Sequence, residues 1–202
     1  MKNVLFVVVL FLAACVFADA NGKDDMIRVG GKGRVAIVNT CAASTNALAK
    51  VARKFDNLLK VDIAIKTGGP WTFADAGRCF DAANATVAVF VVKDRNLPMS
   101  LVALESKWGV ANVEGLDDDC AAKLVTRVLT SILGGGASKY PSSAMRPVFS
   151  RDDLAKKAGL GLAVDTAMSI FNYLPATGVE PYRLMSREDA IEEGLIKAGE
   201  SK

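Results

Sequence analysis

The run Thr86-Val87-Ala88-Val89-Phe90-Val91-Val92 is the strongest constraint in the sequence. Consecutive apolar and β-branched residues make a strand that must be covered on both faces, whereas a strand wet on one side would alternate apolar and polar. Two shorter apolar runs precede it, Arg34 to Asn39 and Val61 to Ile65. Between those two, Leu48, Val51, Ala52, Phe55, Leu58 and Leu59 recur three and four apart, one face of a helix that Ser44 or Thr45 can cap. Gly68-Gly69-Pro70 ends the second run, and Phe73 to Ala82 has weaker helical character. Strand, helix, strand, helix, strand calls for parallel pairing with crossover helices. Ser100 to Leu104 and Gly109 to Val113 are close enough for an antiparallel edge. The expectation is therefore a single α/β domain over residues 34–202, with a mixed β-sheet covered by helices.

After the strands, Asp117-Asp118-Asp119 stands where carboxylates cap a helix and meet the positive end of its dipole. That helix carries Leu124, Val125, Val128, Leu129, Ile132 and Leu133, and Gly134-Gly135-Gly136 stops it. Ala137 to Val148 reads as a loop and Asp152 to Lys157 as a helical turn. A longer helix spans Val164 to Tyr173, closed by Pro175 and Gly178. Glu180 to Met185 is extended, and Ser186-Arg187-Glu188-Asp189 caps a last short helix.

At the other end, Met1-Lys2-Asn3 and the apolar run Val4 to Ala14 have the pattern of an export signal. Ala18-Asp19-Ala20 fits the small-x-small cleavage rule, making residues 1–20 a signal peptide and residues 21–33 a polar, glycine-rich tether. Leu12-Ala13-Ala14-Cys15 equally fits a lipobox, with cleavage before Cys15 and lipidation of its thiol. Both readings make the protein extracytoplasmic, periplasmic or secreted in the first and membrane-anchored through Cys15 in the second. Cys41, Cys79 and Cys120 remain, an odd number that allows at most one internal disulfide.

No histidine occurs among the 202 residues, which removes Ser-His and Cys-His pairs, imidazole acid-base chemistry and every His-containing zinc site. A net charge of +3 is too small and dispersed for a nucleic-acid footprint. No cofactor and no metal ligand set is expected. Trp71 with Phe73, Trp108 and Tyr140 are the aromatics expected to be partly exposed, at a groove or at the edge of the core.

One spacing pattern relates to chemistry. Metzincin zinc proteases place two histidines one turn apart on a helix, break it at glycine, add a third histidine and support the metal with a methionine turn. Aligned on Gly134 and Met145, the segment from Arg127 to Met145 resembles the archaemetzincin form of that frame, H-E-x-x-H-x-x-G-x-x-H-C-x-x-x-x-C-x-M. The three histidine positions hold Arg127, Ser131 and Ala137, and Val128 replaces the glutamate. Ser138 and Ser143 stand at the two cysteine positions, and Ala163 and Thr166 at the following pair. An unrelated α/β domain would use Gly134 as a helix stop and Met145 as a core residue. The resemblance implies a metzincin-like core whose metal ligands are lost, a non-catalytic pseudo-protease. Its residual cleft would be lined by Arg127, Ser131, Gly135, Ser138, Tyr140 and Met145 and would bind a peptide, a protein or an envelope component. The alternatives are a hydrolase of another class, with Ser138 and Lys139 or Cys41 as nucleophilic machinery, and a structural envelope protein.

Overall fold

A computed structural model describes residues 26–197. The signal segment and Cys15 lie outside the described residues. The chain divides into two compact units, one over Gly31–Tyr182 and one made of residues 26–30 with 183–197.

The unit Gly31–Tyr182 is built on a five-stranded sheet of order β3-β2-β4-β6-β5. Its strands are β2 (Val35–Asn39), β3 (Ile63–Thr67), β4 (Val87–Val92), β5 (Ser100–Ala103) and β6 (Trp108–Asn112). Ile37 of β2 pairs with Ile65 of β3 and with Val89 of β4, both in parallel, and β4 pairs in parallel with β6. Only β5 runs antiparallel, against β6. The sheet is therefore mixed, as the strand order required.

Side chains alternate across it. Val35, Ile37, Val87, Val89 and Val91 pack with helix α1 (Thr45–Leu59) and helix α3 (Asp118–Ile132), joined by Leu154 of α4 (Arg151–Lys157) and Ile170 and Leu174 of α5 (Val164–Thr177). Ala36, Val38, Ala88, Phe90 and Val92 point the other way, onto α2 (Ala76–Ala83), Trp71 and Phe80. The β4 run is covered on both sides, which is why it contains no polar residue. The Ser44 hydroxyl caps α1 by accepting from the Ala47 N–H.

Three expectations need correction. The stretch read as a tether over residues 21–33 includes strand β1 (Met26–Lys32), which forms a two-stranded sheet with β7 (Glu180–Ser186). Its glycines and charges suit a strand whose residues are mostly exposed, and they hid the pairing. The second run, expected over Val61–Ile65, pairs as Ile63–Thr67 instead. Val61 is apolar because it is fully buried in the core on the α1 side, not because it belongs to the ladder. Helix α5 passes through Pro175 to Thr177, and Gly178, at φ 81°, ends it. Proline removes the one helical bond that its missing N–H would give to the Phe171 carbonyl, and the helix continues past it for two residues. A last short helix, α6 (Arg187–Glu192), is capped by the Ser186 hydroxyl as expected. Among the described residues no helix is long and apolar enough to cross a membrane.

Candidate functional site

The site expected from sequence lies where α3 ends. Asp117 starts this helix, its carboxylate accepting the Cys120 N–H at 2.7 Å, with Asp118 and Asp119 in the first turn. Those bonds from Cys120 hold the Asp117 carboxyl below its usual range. Leu124, Val125, Val128, Leu129 and Ile132 face the sheet. Val128 sits against Gly109 of β6, where an added Cβ would stand 2.7 Å from Val128 Cγ1. The position of the frame's glutamate is thus spent on packing the helix onto the sheet.

Gly134 adopts φ 87°, and an added Cβ there would stand 2.4 Å from Tyr173 Cβ and 2.5 Å from its ring. The helix must stop at this point. The chain then turns back along α3, and the Arg127 guanidinium fastens it. Nη1 donates to the carbonyl of Ala144 and, at 2.6 Å, to that of Arg146, the two residues flanking Met145. Met145 itself donates its N–H to Ser143 Oγ at 3.1 Å and accepts from the Ser138 N–H at 3.0 Å. Both serines at the frame's cysteine positions are therefore buried hydrogen-bonding groups in the loop. A second stitch comes from residues 159–161. Ala144 N–H donates to the Gly161 carbonyl at 2.6 Å, and an added Cβ at Gly159 would stand 2.2 Å from the Ser142 carbonyl oxygen. Burial pushes the Arg127 pKa below its usual value, yet a guanidinium starts so high that it keeps its charge.

Of the six expected cleft residues, the structure brings Arg127, Ser138 and Met145 together through these backbone bonds. Met145 is buried at 7% exposure, and Gly135 is pressed against Thr130 and Thr166. Ser131 is half-buried, its carbonyl accepting the Gly134 N–H, and Tyr140 stands exposed with its N–H on Ser138 Oγ at 3.4 Å. An open groove of about 420 Å³ lies beside the loop, bordered by Ala137, Ser138, Lys139, Arg146 and Pro147. Arg146 and Pro147 were not singled out from the sequence. The signal was weak: two residues directly after the methionine, outside the frame.

The competing nucleophiles are not assembled. Ser138 is buried at 3% exposure, and its Oγ lies 3.4 Å from Asp165 Oδ1, a carboxylate oxygen that also accepts the Thr166 N–H. Lys139 points to solvent. Burial raises the Cys41 thiol, only partly offset by the nearby Ala43 N–H, which is the opposite of an activated thiolate. Cys41, Cys79 and Cys120 are all free thiols. Trp71, Phe73, Phe90 and Trp108 form a ring cluster with centroids 6.1 to 6.4 Å apart, from buried Trp71 to exposed Phe73.

Zinc is the metal that the resemblance implies. The residues at its three ligand positions are a guanidinium committed to the Ala144 and Arg146 carbonyls, a hydroxyl and a methyl group, and this set does not fit a dication. Among the described residues no other group of His, Cys, Asp or Glu side chains converges on a metal position.

No family model matches the chain, and no curated protein matches it. Solved structures do. The crystal structure of archaemetzincin from Methanopyrus kandleri aligns over 70% of this chain and 95% of its own, with a TM-score of 0.55 and 10% identity. A zinc-dependent peptidase from Methanocorpusculum labreanum and archaemetzincin from Archaeoglobus fulgidus each align over 67% of this chain, with TM-scores of 0.48 and 0.47 and 11% identity. The chain has an archaemetzincin-like fold, carried on a sequence without a histidine.

Proposed function

We propose that the protein is a non-catalytic, extracytoplasmic pseudo-protease that binds an acidic peptide segment of a partner in the groove beside Met145. The observation that carries the reading is the Arg127 guanidinium bonded to the carbonyls on either side of Met145. It turns a catalytic ligand position into a structural one while keeping the loop in place. Lys139 and Arg146 then border the groove with no carboxylate paired to either among the described residues, so the ligand's complementary charge is negative. Pro147 and Ala137 supply short apolar contact between them.

The test uses the purified full chain. With zinc supplied, it should leave a mixed fluorogenic peptide library uncut. Immobilised acidic peptides should retain it and basic ones should not, with retention falling as salt rises. Substituting Lys139→Glu together with Arg146→Glu should weaken capture by about tenfold, one lost charge-assisted contact being enough for that factor. Zinc-dependent cleavage, or equal capture by acidic and basic peptides, defeats the reading.

A further inference from the structure

The sheet reverses its winding at the carboxyl end of β2. The connection after β2 leads to α1 on one face. The connection after β3 leads to α2 on the opposite face, and the chain then crosses to β4 on the far side of β2. Neighbouring strand ends whose connections diverge to opposite faces leave a crevice between them, and open α/β sheets hold ligands there. A cavity of about 290 Å³ occupies this place, between the ends of β2 and β3 and the flank of α2.

Its walls explain why it stays open. Gly68 lies so close to β2 that an added Cβ would stand 2.6 Å from Val38 Cγ1, which fixes the loop after β3 against the strand. Nothing lies within 4 Å of the place where a Cβ would stand on Gly69, the next residue. Across the gap α2 presents Ala82, a side chain of one carbon. Val38, Phe90 and Pro70 make the remaining surface largely apolar, so the interior favours an apolar body over water.

One charged residue borders the cavity. Arg78 reaches it from α2 with its side chain 80% exposed. Its Nη2 donates to Asp75 Oδ1 at 2.8 Å, while the other oxygen of Asp75 accepts from Thr72 Oγ1 at 2.7 Å. A guanidinium has five N–H donors, and this pairing leaves others for an incoming carboxylate. Cys79, the next residue, presents a half-buried thiol to the same cavity.

We propose that this crevice is a second binding site, for a small monocarboxylate with an apolar body, its acid group on Arg78 and its ring or chain between Val38, Phe90 and Ala82. A cavity of about 150 Å³ takes a benzene, so this one takes a body of about a dozen heavy atoms. The site is separate from the groove at Met145 and shares no bordering residue with it.

The test titrates the full chain with octanoate and with 4-phenylbutyrate, and with 1-octanol and 4-phenylbutanol as uncharged counterparts. Binding is read by calorimetry, and alkylation of Cys79 by iodoacetamide is followed by mass spectrometry. At least one acid should bind with a dissociation constant of roughly 0.5 mM, in keeping with a ligand of this size. The tighter acid tells a chain-shaped ligand from a ring-shaped one. Saturation should slow alkylation of Cys79 about fivefold or more and leave Cys41 unchanged, a difference set by thiol access. The matching alcohol should bind about tenfold more weakly, and Arg78→Leu should erase that difference without a change in fold. Ala82→Trp should abolish binding of acid and alcohol alike, and Lys139→Glu with Arg146→Glu should leave both intact. Absence of saturable binding by either acid up to about 10 mM overturns the proposal. So does equal binding of acid and alcohol, or undiminished alkylation of Cys79 at saturation.

Discussion

The two faces of the sheet are built to different standards. The α1 and α3 face is covered by two fifteen-residue helices, and Leu48, Phe55, Leu124, Leu129 and Ile132 are shut from solvent. The α2 face has one eight-residue helix and an aromatic cluster whose outer member, Phe73, is 67% exposed. Long amphipathic helices bury large side chains in quantity, whereas α2 buries only Ala76 and Ala83. Large buried side chains are therefore concentrated on one side, and a ring left open to solvent lies on the other.

That contrast is open to direct attack. The largest effect should come from Leu129→Ala, which leaves a hole in the thick face and should cost about 4 kcal/mol in urea unfolding. Phe73→Ala on the thin face should cost less than about 1 kcal/mol by the same measurement, and similar losses for the two would erase the comparison. Next comes Arg127→Met. It keeps the stem's bulk but strands the carbonyls of Ala144 and Arg146, at a cost of roughly 2 kcal/mol. Faster hydrogen exchange at the Ser138 and Met145 amides would accompany it if the guanidinium holds this loop.

Smaller still is an acid effect. The folded-state pKa of Asp117 is depressed by its bonds from Cys120, and that of Asp153 by Lys157 and the Phe149 N–H. Each contributes stability that is present above the ordinary carboxylate value, about pH 4, and is lost as pH falls through the lowered one. Asp117→Asn retains a capping side chain but cannot titrate, so its unfolding midpoint should fall less steeply below about pH 4 than that of the wild type. The smallest shift concerns Cys41. Its alkylation should rise only at a pH above that of an ordinary thiol, because burial raises it, and an acid-shifted profile would revive the nucleophile reading.

The sheet was legible because burial on both faces leaves a mark on every residue of β4, and because the period of α1 changes to that of β3 across Lys60, which takes φ 54°. The limits of β3 were not, since Val61 and Ile63 are equally apolar for different reasons, one packed in the core and one in the ladder. Strand β1 escaped because its residues are mostly exposed and its partner, β7, lies about 150 positions along the chain, too far for any local pattern to record. At the candidate site, Gly134 and Met145 announced the helix stop and the buried loop. The bonds that join them run from side chains to backbone carbonyls, and a carbonyl carries no letter. Gly135 is wedged between Thr130 and Thr166, and Arg146 takes a place at the groove, neither of which a residue spacing records.

The fastening at Arg127 has a practical consequence. A metal centre can be stripped by a chelator, starved of supply or released in acid. A guanidinium held by two main-chain oxygens is immune to all three, so the loop it secures should keep its shape wherever the protein travels, in metal-poor surroundings and mildly acidic ones alike.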